Sequence, residues 1–291
     1  MEKIYLIIII PCLIVAIVLG TVISLKYKKV NRGENPLNDS ENISPIDIKN
    51  LTITVIYDNN PYKEGLETAW GFSCLVSGID KTILFDTGGV GSIFLANMRR
   101  LGIDPKKIDS VVLSHIHGDH VGGLARFLEK NSDVTIYLPK SFPTSFKNDI
   151  RECGAKVVEV SSPLRICEQA LSTGEMGTWI KEQSLVISTN KGLVVITGCA
   201  HPGVVKIVRR AKDLLEKNMF LVMGGFHLFN EGTDKIREII TSFKKMGVQY
   251  VGPCHCSGDK ARDLFEREYH KGFMSMGVGK TIIGRDFELN G

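Results

Sequence analysis

The chain has 291 residues, with 36 lysines and arginines against 32 aspartates and glutamates, and its formal net charge at pH 7 is +4. This net charge owes much to one cluster near the N-terminus, Lys26, Lys28, Lys29 and Arg32. No later basic run is interleaved with aromatic residues, which argues against a nucleic-acid partner. The cysteine count of seven is odd, so no disulfide framework is apparent.

Residues 4–25 carry no charged side chain. As a helix this segment would extend about 33 Å, which is enough for a bilayer core of about 30 Å, so we predict an uncleaved transmembrane anchor. A cleaved signal peptide is the alternative, although no Ala-x-Ala-like site follows the segment. Because the basic cluster comes directly after the span, the positive-inside rule predicts a single-pass membrane protein with a cytoplasmic catalytic domain. An exported domain is the alternative.

Three parts are therefore predicted along the chain. Residues 1–30 form the anchor and its basic flank, residues 31–50 form a polar tether, and residues 51–291 form one α/β catalytic domain.

Short apolar runs bounded by turn residues predict the strands of this domain. These are Leu51–Tyr57, Ser73–Val76, Thr82–Phe85, Ser110–Leu113, Val134–Leu138, Lys156–Val160, Ser184–Ser188, Leu193–Thr197, Phe220–Met223 and Val248–Val251. Helical patterns cover Gly91–Leu101, Leu124–Lys130, Val204–Lys217, Asp234–Met246 and Asp259–Tyr269. Early strands come in clusters and later ones alternate with helices, which indicates two sheets with helices outside them.

A dense group of polar side chains follows the predicted strand Ser110–Leu113. His115, His117 and His120 stand with Asp119 in a stretch of six residues. The first two are at i and i+2 and point the same way in an extended segment, and Gly118 permits the turn that presents the other two. Imidazole with carboxylate suits Zn²⁺ and similar ions. A solvated, His-rich loop is the alternative interpretation.

This loop, followed by Val-Gly-Gly-Leu, resembles the signature of the metallo-β-lactamase superfamily. Further segments that resemble the same family are Trp70-Gly-Phe-Ser, Leu84-Phe-Asp86-Thr-Gly, Thr197-Gly-Cys199-Ala-His201-Pro-Gly, Gly224-Gly-Phe-His227-Leu and Pro253-Cys-His255-Cys. Together they are similar to the branch of the 7,8-dihydropterin-6-methyl-4-(β-D-ribofuranosyl)aminobenzene-5'-phosphate synthases. The resemblance covers residues 51 to the C-terminus and implies a four-layer αββα sandwich.

The second half of the chain offers further ligands. Cys199 and His201 follow a buried strand at i and i+2, so both could face one pocket. His201 would complete a first metal position with His115 and His117, or it would cap the following helix. Cys199 is either a ligand or a small residue packed behind the site. The third His that the superfamily usually carries is absent from Ser172–Gly177, which leaves the bridging ligand open, with Glu175 as a remote candidate.

His255 is expected to complete a second metal position with Asp119 and His120, whereas the flanking Cys254 and Cys256 are expected to pack. His227 is expected to contact substrate or to donate a proton, which makes it, with Asp119, a catalytic candidate; a helix cap is the alternative.

Three other side chains complete the candidate set. Asp86 is expected to hold the second nitrogen of a ligand His, a role compatible with an Asx-turn. His270 is expected at the surface, and Lys280 near an anionic group of the substrate.

Two divalent ions can hold a bridging water and activate it as a nucleophile. We therefore predict a hydrolase that acts on an ester, most simply a phosphoester. Zinc is expected, with manganese or iron as alternatives. The main interpretation is thus a membrane-anchored, dinuclear metal-dependent hydrolase of a small anionic substrate, with membrane lipid as the partner of its N-terminal helix. The alternatives are a transferase of the synthase type that the resemblance names and a non-catalytic metal-binding sensor.

Overall fold

The structure is a computed structural model that describes residues 43–287, without the side chain of Asp286. The predicted anchor, residues 4–25, lies outside the described residues, as does most of the predicted tether. Within residues 43–287, no helix combines the length and the apolar character that a membrane crossing requires.

The last residues of the predicted tether pack against the domain. Ile43 and Ile48 are buried, and the Ile46 amide donates to the Ser188 carbonyl oxygen at 3.0 Å. Asn190 accepts a hydrogen bond from the Ile48 amide at 3.0 Å. Residues 43–50 are therefore part of the folded domain and not of a free tether, which places the start of the domain before the predicted residue 51.

The described residues form two β-sheets. The first has seven strands in the order β13-β1-β2-β3-β4-β5-β6, and the second has six in the order β12-β11-β10-β9-β8-β7. The strands are β1 Thr52–Tyr57, β2 Ser73–Ser77, β3 Ile83–Phe85, β4 Ser110–Val112, β5 Thr135–Pro139, β6 Lys156–Val160, β7 Leu164–Cys167, β8 Ala170–Ser172, β9 Leu185–Thr189, β10 Gly192–Thr197, β11 Met219–Gly225, β12 Tyr250–Cys254 and β13 Thr281–Ile283.

Helices cover the outer faces of both sheets. Within the described part of the chain they are α1 Gly91–Arg100, α2 Gly118–Val121, α3 Leu124–Leu128, α4 Thr144–Glu152, α5 Val204–Leu215, α6 Thr233–Lys245 and α7 Asp259–Tyr269. The structure thus confirms a mixed α/β fold with two sheets.

The layering follows from the alternation of side chains along the strands. In β10, Val194 and Ile196 belong to the apolar core that lies between the sheets. Val195 points the other way and joins the core shared with α5, α6 and α7. A third core joins the outer face of the first sheet to α1 and α3. Each sheet is therefore buried on both faces, as parallel strands require.

Strained backbone is concentrated where parallel strands end. Four residues other than glycine have a positive φ at these ends: Asp86 at 55°, Ala200 at 60°, His227 at 54° and His255 at 49°. They follow β3, β10, β11 and β12, and each such conformation costs about 1–3 kcal/mol. Strain of this kind typically marks functional loops, and the predicted polar residues occupy these loops.

Candidate metal centre

Three imidazoles converge from two loops. His115 and His117 follow β4, His201 follows β10, and their candidate ligand nitrogens lie within 4.8 Å of one another. The ring of His201 lies 4.8 Å from that of His115 and 4.9 Å from that of His117, centroid to centroid. The Nε2 atom of His201 is buried without a hydrogen-bond partner. A buried imidazole nitrogen without a partner is costly, and a metal ion at this point would satisfy it.

A second group lies beside the first and contains Asp119, His120, Cys199 and His255, with ligand atoms again within 4.8 Å of one another. His120 Nε2 lies 3.2 Å from Cys199 Sγ and 3.2 Å from His255 Nε2. The Asp119 carboxylate lies 3.3 Å from His255 Nε2. The structure thus brings together the side chains that the sequence assigned to the second metal position, and Cys199, which the sequence left as either a ligand or a packing residue, lies with them.

Asp86 holds this centre from behind. Its two carboxylate oxygens accept from the backbone amide and the hydroxyl of Ser114, each at 2.7 Å, and the second oxygen also lies 2.7 Å from His120 Nδ1. The Ser114 hydroxyl is in turn 2.9 Å from His115 Nδ1. One buried carboxylate therefore orients imidazoles from both groups, as the outer partners of metal-binding histidines commonly do.

The orientation of His120 and His255 leaves two ring nitrogens facing each other. His120 Nδ1 is held by Asp86, and His255 Nδ1 is held by Asn59 Oδ1 at 2.9 Å. If each neutral ring keeps its proton on Nδ1, the two Nε2 lone pairs point at one another across 3.2 Å. Two facing acceptors repel, so this arrangement fits a bound cation.

Glu182 is a supporting carboxylate that the sequence did not reveal. It is buried, and its oxygens accept from three consecutive backbone amides, those of Cys199 at 3.0 Å, Ala200 at 2.8 Å and His201 at 2.8 Å. Burial raises the pKa of Glu182 to about 7, although these backbone hydrogen bonds lower it. The carboxylate fixes the loop in which Ala200 has its positive φ and thereby positions the two ligand candidates on either side.

Protonation equilibria at His115, His201 and Asp119 favour metal-binding forms. For His120, burial acts to lower the pKa, but the charge of Asp86 and the hydrogen bond with it outweigh burial and raise the pKa. Burial, together with the neighbouring His227, lowers the pKa of His201 to about 4. Burial also lowers the pKa of His115. For Asp119, burial acts to raise the pKa, but the hydrogen bond with His255 and the charge of His120 outweigh it and bring the pKa to about 2. Neutral imidazole and ionised carboxylate are the forms that bind metals.

A third group, Cys199, His227 and Cys256, extends the centre on one side. The two sulfur atoms are 3.3 Å apart. Cys256 was expected to pack and not to bind metal, whereas the structure places it in this candidate group. Cys254 does lie in the apolar core between the sheets, as expected.

The remaining sequence candidates lie elsewhere. Glu175, the remote candidate for a bridging ligand, accepts from the Ser141 amide at 2.6 Å and belongs to none of the three groups. The neighbouring Met176 pairs with Glu182. His270 is exposed. The amine of Lys280 lies 3.0 Å from the hydroxyl of Tyr62.

Two aromatic side chains stand at the edge of the centre with much of their surface exposed. Trp70 is 53% exposed and its ring lies 4.9 Å from that of His255. Phe229 is 46% exposed and lies 5.6 Å from the ring of His227. The sequence had pointed to Trp70 only as part of the family resemblance.

Comparison with known proteins agrees with this architecture. The family profile of the metallo-beta-lactamase superfamily matches residues 71–210. The 7,8-dihydropterin-6-methyl-4-(β-D-ribofuranosyl)-aminobenzene-5'-phosphate synthase of Methanocaldococcus jannaschii is 31% identical, over 83% of this chain and 98% of the synthase.

Among solved structures, Tm1679, a metal-dependent hydrolase of the β-lactamase superfamily, is 30% identical with a TM-score of 0.67, over 80% of this chain and 98% of its own. The metallo-β-lactamase fold protein YhfI of Bacillus subtilis is 17% identical with a TM-score of 0.59, over 80% of this chain and 98% of its own. The latter likeness concerns the fold alone.

These findings correct two predictions. The membrane-anchored hydrolase is wrong as the main interpretation, because a relative that matches along 98% of its length is a synthase, which was the alternative. The predicted membrane location has no support in these findings: the synthase aligns over 98% of its own length with 83% of this chain, no helix of residues 43–287 qualifies as a membrane span, and residues 4–25 lie outside the described residues.

The family profile matches residues 71–210, and the synthase aligns over 98% of its length. The two sheets and the converging histidine loops agree with these matches. The chain belongs to the metallo-β-lactamase superfamily, in the branch of the dihydropterin ribofuranosylaminobenzene phosphate synthases.

Proposed function

We propose that the protein is a metal-dependent synthase that joins a 7,8-dihydropterin, through its 6-methyl carbon, to the nitrogen of a ribofuranosyl-aminobenzene 5'-phosphate. The observation that carries this proposal is the 31% identity to the synthase over 98% of that protein's length. The small anionic substrate expected from the sequence would then be the phosphorylated aminobenzene riboside.

The product named for the relative defines the bond that forms. The arylamine nitrogen attacks the methylene carbon on C6 of the pterin, the bond from that carbon to its leaving group breaks, and the amine loses a proton. Hydroxide is a poor leaving group, so the carbon would carry a phosphate or diphosphate ester, whose departing oxygens are anionic.

The ligand groups fit two divalent ions. His115, His117 and His201 would hold one ion, and Asp119, His120, Cys199 and His255 would hold the other; three neutral imidazoles and a mixed set of nitrogen, oxygen and sulfur donors both suit Zn²⁺, with manganese and iron as alternatives. When bound, such ions act as Lewis acids that stabilise developing negative charge on oxygen.

The protein's own residues position the ligands and shape the entrance. Asp86, Asn59 and Glu182 fix the ligand loops through the hydrogen bonds described above. The exposed aromatic faces of Trp70 and Phe229 offer planar apolar surface beside the centre, which suits a flat heterocycle.

Coupling of the two substrates by the purified full chain tests this proposal. The protein would be incubated with Zn²⁺, 4-(β-D-ribofuranosyl)aminobenzene 5'-phosphate and a 6-hydroxymethyl-7,8-dihydropterin diphosphate ester, and the products identified by mass spectrometry. We expect the coupled product, and its loss on chelation. Release of free 6-hydroxymethyl-dihydropterin without coupling would identify a hydrolase and overturn the proposal, as would the absence of any product.

A further inference from the structure

Two buried sulfur atoms meet at the edge of the centre, and one of them, Cys256 Sγ, lies outside the set of ligands that the two expected ions use. Cys256 Sγ lies 3.3 Å from Cys199 Sγ, and both cysteines are buried. The ligand atoms of Cys199, Cys256 and His227 all lie within 4.8 Å of one another. Cys256 does not fall within that distance of the whole Asp119, His120 and His255 set, so these sulfurs define a position of their own.

Three separate loops bring these side chains together. Cys199 follows β10, His227 follows β11 with a φ of +54°, and Cys256 lies in the short turn after β12. A Cβ atom on Gly225 would lie 2.7 Å from Cys256 Sγ and 2.3 Å from the Gly198 carbonyl oxygen. Glycine at residue 225, the last residue of β11, therefore leaves room for the Cys256 sulfur.

The groups nearest the two sulfur atoms are carboxyl groups and imidazoles. Within residues 43–287, Asp86 and Asp119 form ion pairs with histidines and with no lysine or arginine, and the Glu182 carboxyl accepts from the Cys199 amide. A cation between the sulfur atoms, which lie 3.3 Å apart, would add positive charge beside these carboxyl groups.

The donor set selects the ion. Two thiolates with one imidazole form the Cys₂His set that binds Zn²⁺ with a fourth position left open, and thiolate donors favour thiophilic ions over Mg²⁺ or Mn²⁺. His227 is exposed, so the group lies within reach of solvent.

We infer that Cys199, His227 and Cys256 form a third metal-binding position, for Zn²⁺ or a similarly thiophilic ion. The Cys199 sulfur is shared with the Asp119, His120 and His255 group. His227 is then a ligand, in place of the substrate contact or proton donor expected from the sequence. The position does not depend on which reaction the enzyme catalyses.

Metal titration of the full chain tests this inference without turnover. Chelated protein would be titrated with Cd²⁺ and with Co²⁺, the bound ions counted after gel filtration, and the thiolate-to-metal charge-transfer absorption recorded. The variants are Cys256→Ser and His227→Gln. The control is Cys153→Ser, which removes an exposed thiol at the end of α4.

We expect three ions per chain in the wild type and in the Cys153→Ser control. We expect two in Cys256→Ser and in His227→Gln, with reduced charge-transfer absorption in Cys256→Ser. The His227 change is at an exposed side chain, so it keeps the test valid if the buried Cys256 variant fails to fold. A wild-type count of two or fewer overturns the inference, and so does a third ion that both variants retain.

Discussion

Asn59 holds His255 at two points. Its Oδ1 lies 2.9 Å from the ring Nδ1, and its Nδ2 donates to the His255 carbonyl oxygen at 3.3 Å. His255 has a φ of +49°, so the amide side chain stabilises both a strained backbone and the direction of the ring. The other ring nitrogen of His255, Nε2, therefore points at His120 and Cys199.

Replacement of Asn59 by Ala should therefore weaken metal binding without removing any ligand. Loss of an outer partner of this kind typically lowers affinity by about 10–100-fold, and we expect that range in competition with a chromogenic chelator. Asn59→Asp retains an oxygen that can accept from Nδ1 and should restore much of the affinity. Equal affinity in Asn59→Ala and the wild type would contradict this role.

The contact between Asn59 and His255 also shows what a single sequence conceals. The two residues are 196 positions apart, and neither belongs to a pattern that links them. Glu182 is similarly invisible, because its partners are backbone amides, which carry no residue-type signal. By contrast, the ligand loops could be predicted, since each follows an apolar run long enough to identify as a buried strand.

Some short elements were not predicted. Strands β7, β8 and β13 have only three or four residues each, too few for a clear alternation. Strands β3 and β4 are equally short, but each lies in a predicted run that precedes a polar loop. Helix α4 was missed because only Lys147 and Ile150 are buried along it, so no apolar stripe marks its sequence. The predicted helix Asp259–Tyr269 and the predicted strand Lys156–Val160 match the structure at both ends.

His201→Ala should abolish one metal position. The variant removes one of three imidazoles from the group formed with His115 and His117. Loss of an outer partner lowers metal affinity by up to about 100-fold, and loss of a direct ligand should lower it by at least as much. Elemental analysis and formation of the coupled product would both be measured. His270→Ala, which changes an exposed histidine, is the matched control and should leave both unchanged. Full metal content in His201→Ala would show that His201 is not a ligand.

Glu159 should contribute stability that depends on pH. Its carboxylate lies 2.9 Å from the amine of Lys147, which is nearly buried and also donates to the Lys140 carbonyl oxygen. The hydrogen bond with Lys147 lowers the pKa of Glu159 below its ordinary value. A carboxyl whose pKa is lower in the folded protein stabilises it above the unfolded pKa of about 4.3, and this contribution is lost as the pH falls through the folded pKa.

Glu159→Gln should accordingly lower the free energy of unfolding by about 1 kcal/mol at pH 7, since the pair is partly exposed. The difference from the wild type should shrink when the pH is lowered below about 4. Urea unfolding at both pH values measures it, and Glu129→Gln, in the exposed pair with Arg126, provides the comparison. A difference that is equal at both pH values would exclude the ionic contribution.

Glu182→Gln should loosen the loop of residues 199–201. The wild-type carboxylate accepts all three amides of this loop, whereas a glutamine would turn an NH₂ group toward at least one of them. A buried donor without an acceptor costs about 1–3 kcal/mol, and we expect the metal-free protein to lose that much stability in urea unfolding. Metal affinity should fall as well, because Cys199 and His201 flank the strained Ala200. Glu175 lies in the same connection between β8 and β9 and accepts from one amide at the domain surface. Glu175→Gln should therefore change metal affinity little. If Glu182→Gln bound metal as tightly as Glu175→Gln does, the loop would hold its shape without the carboxylate, and the positioning role of Glu182 would be refuted.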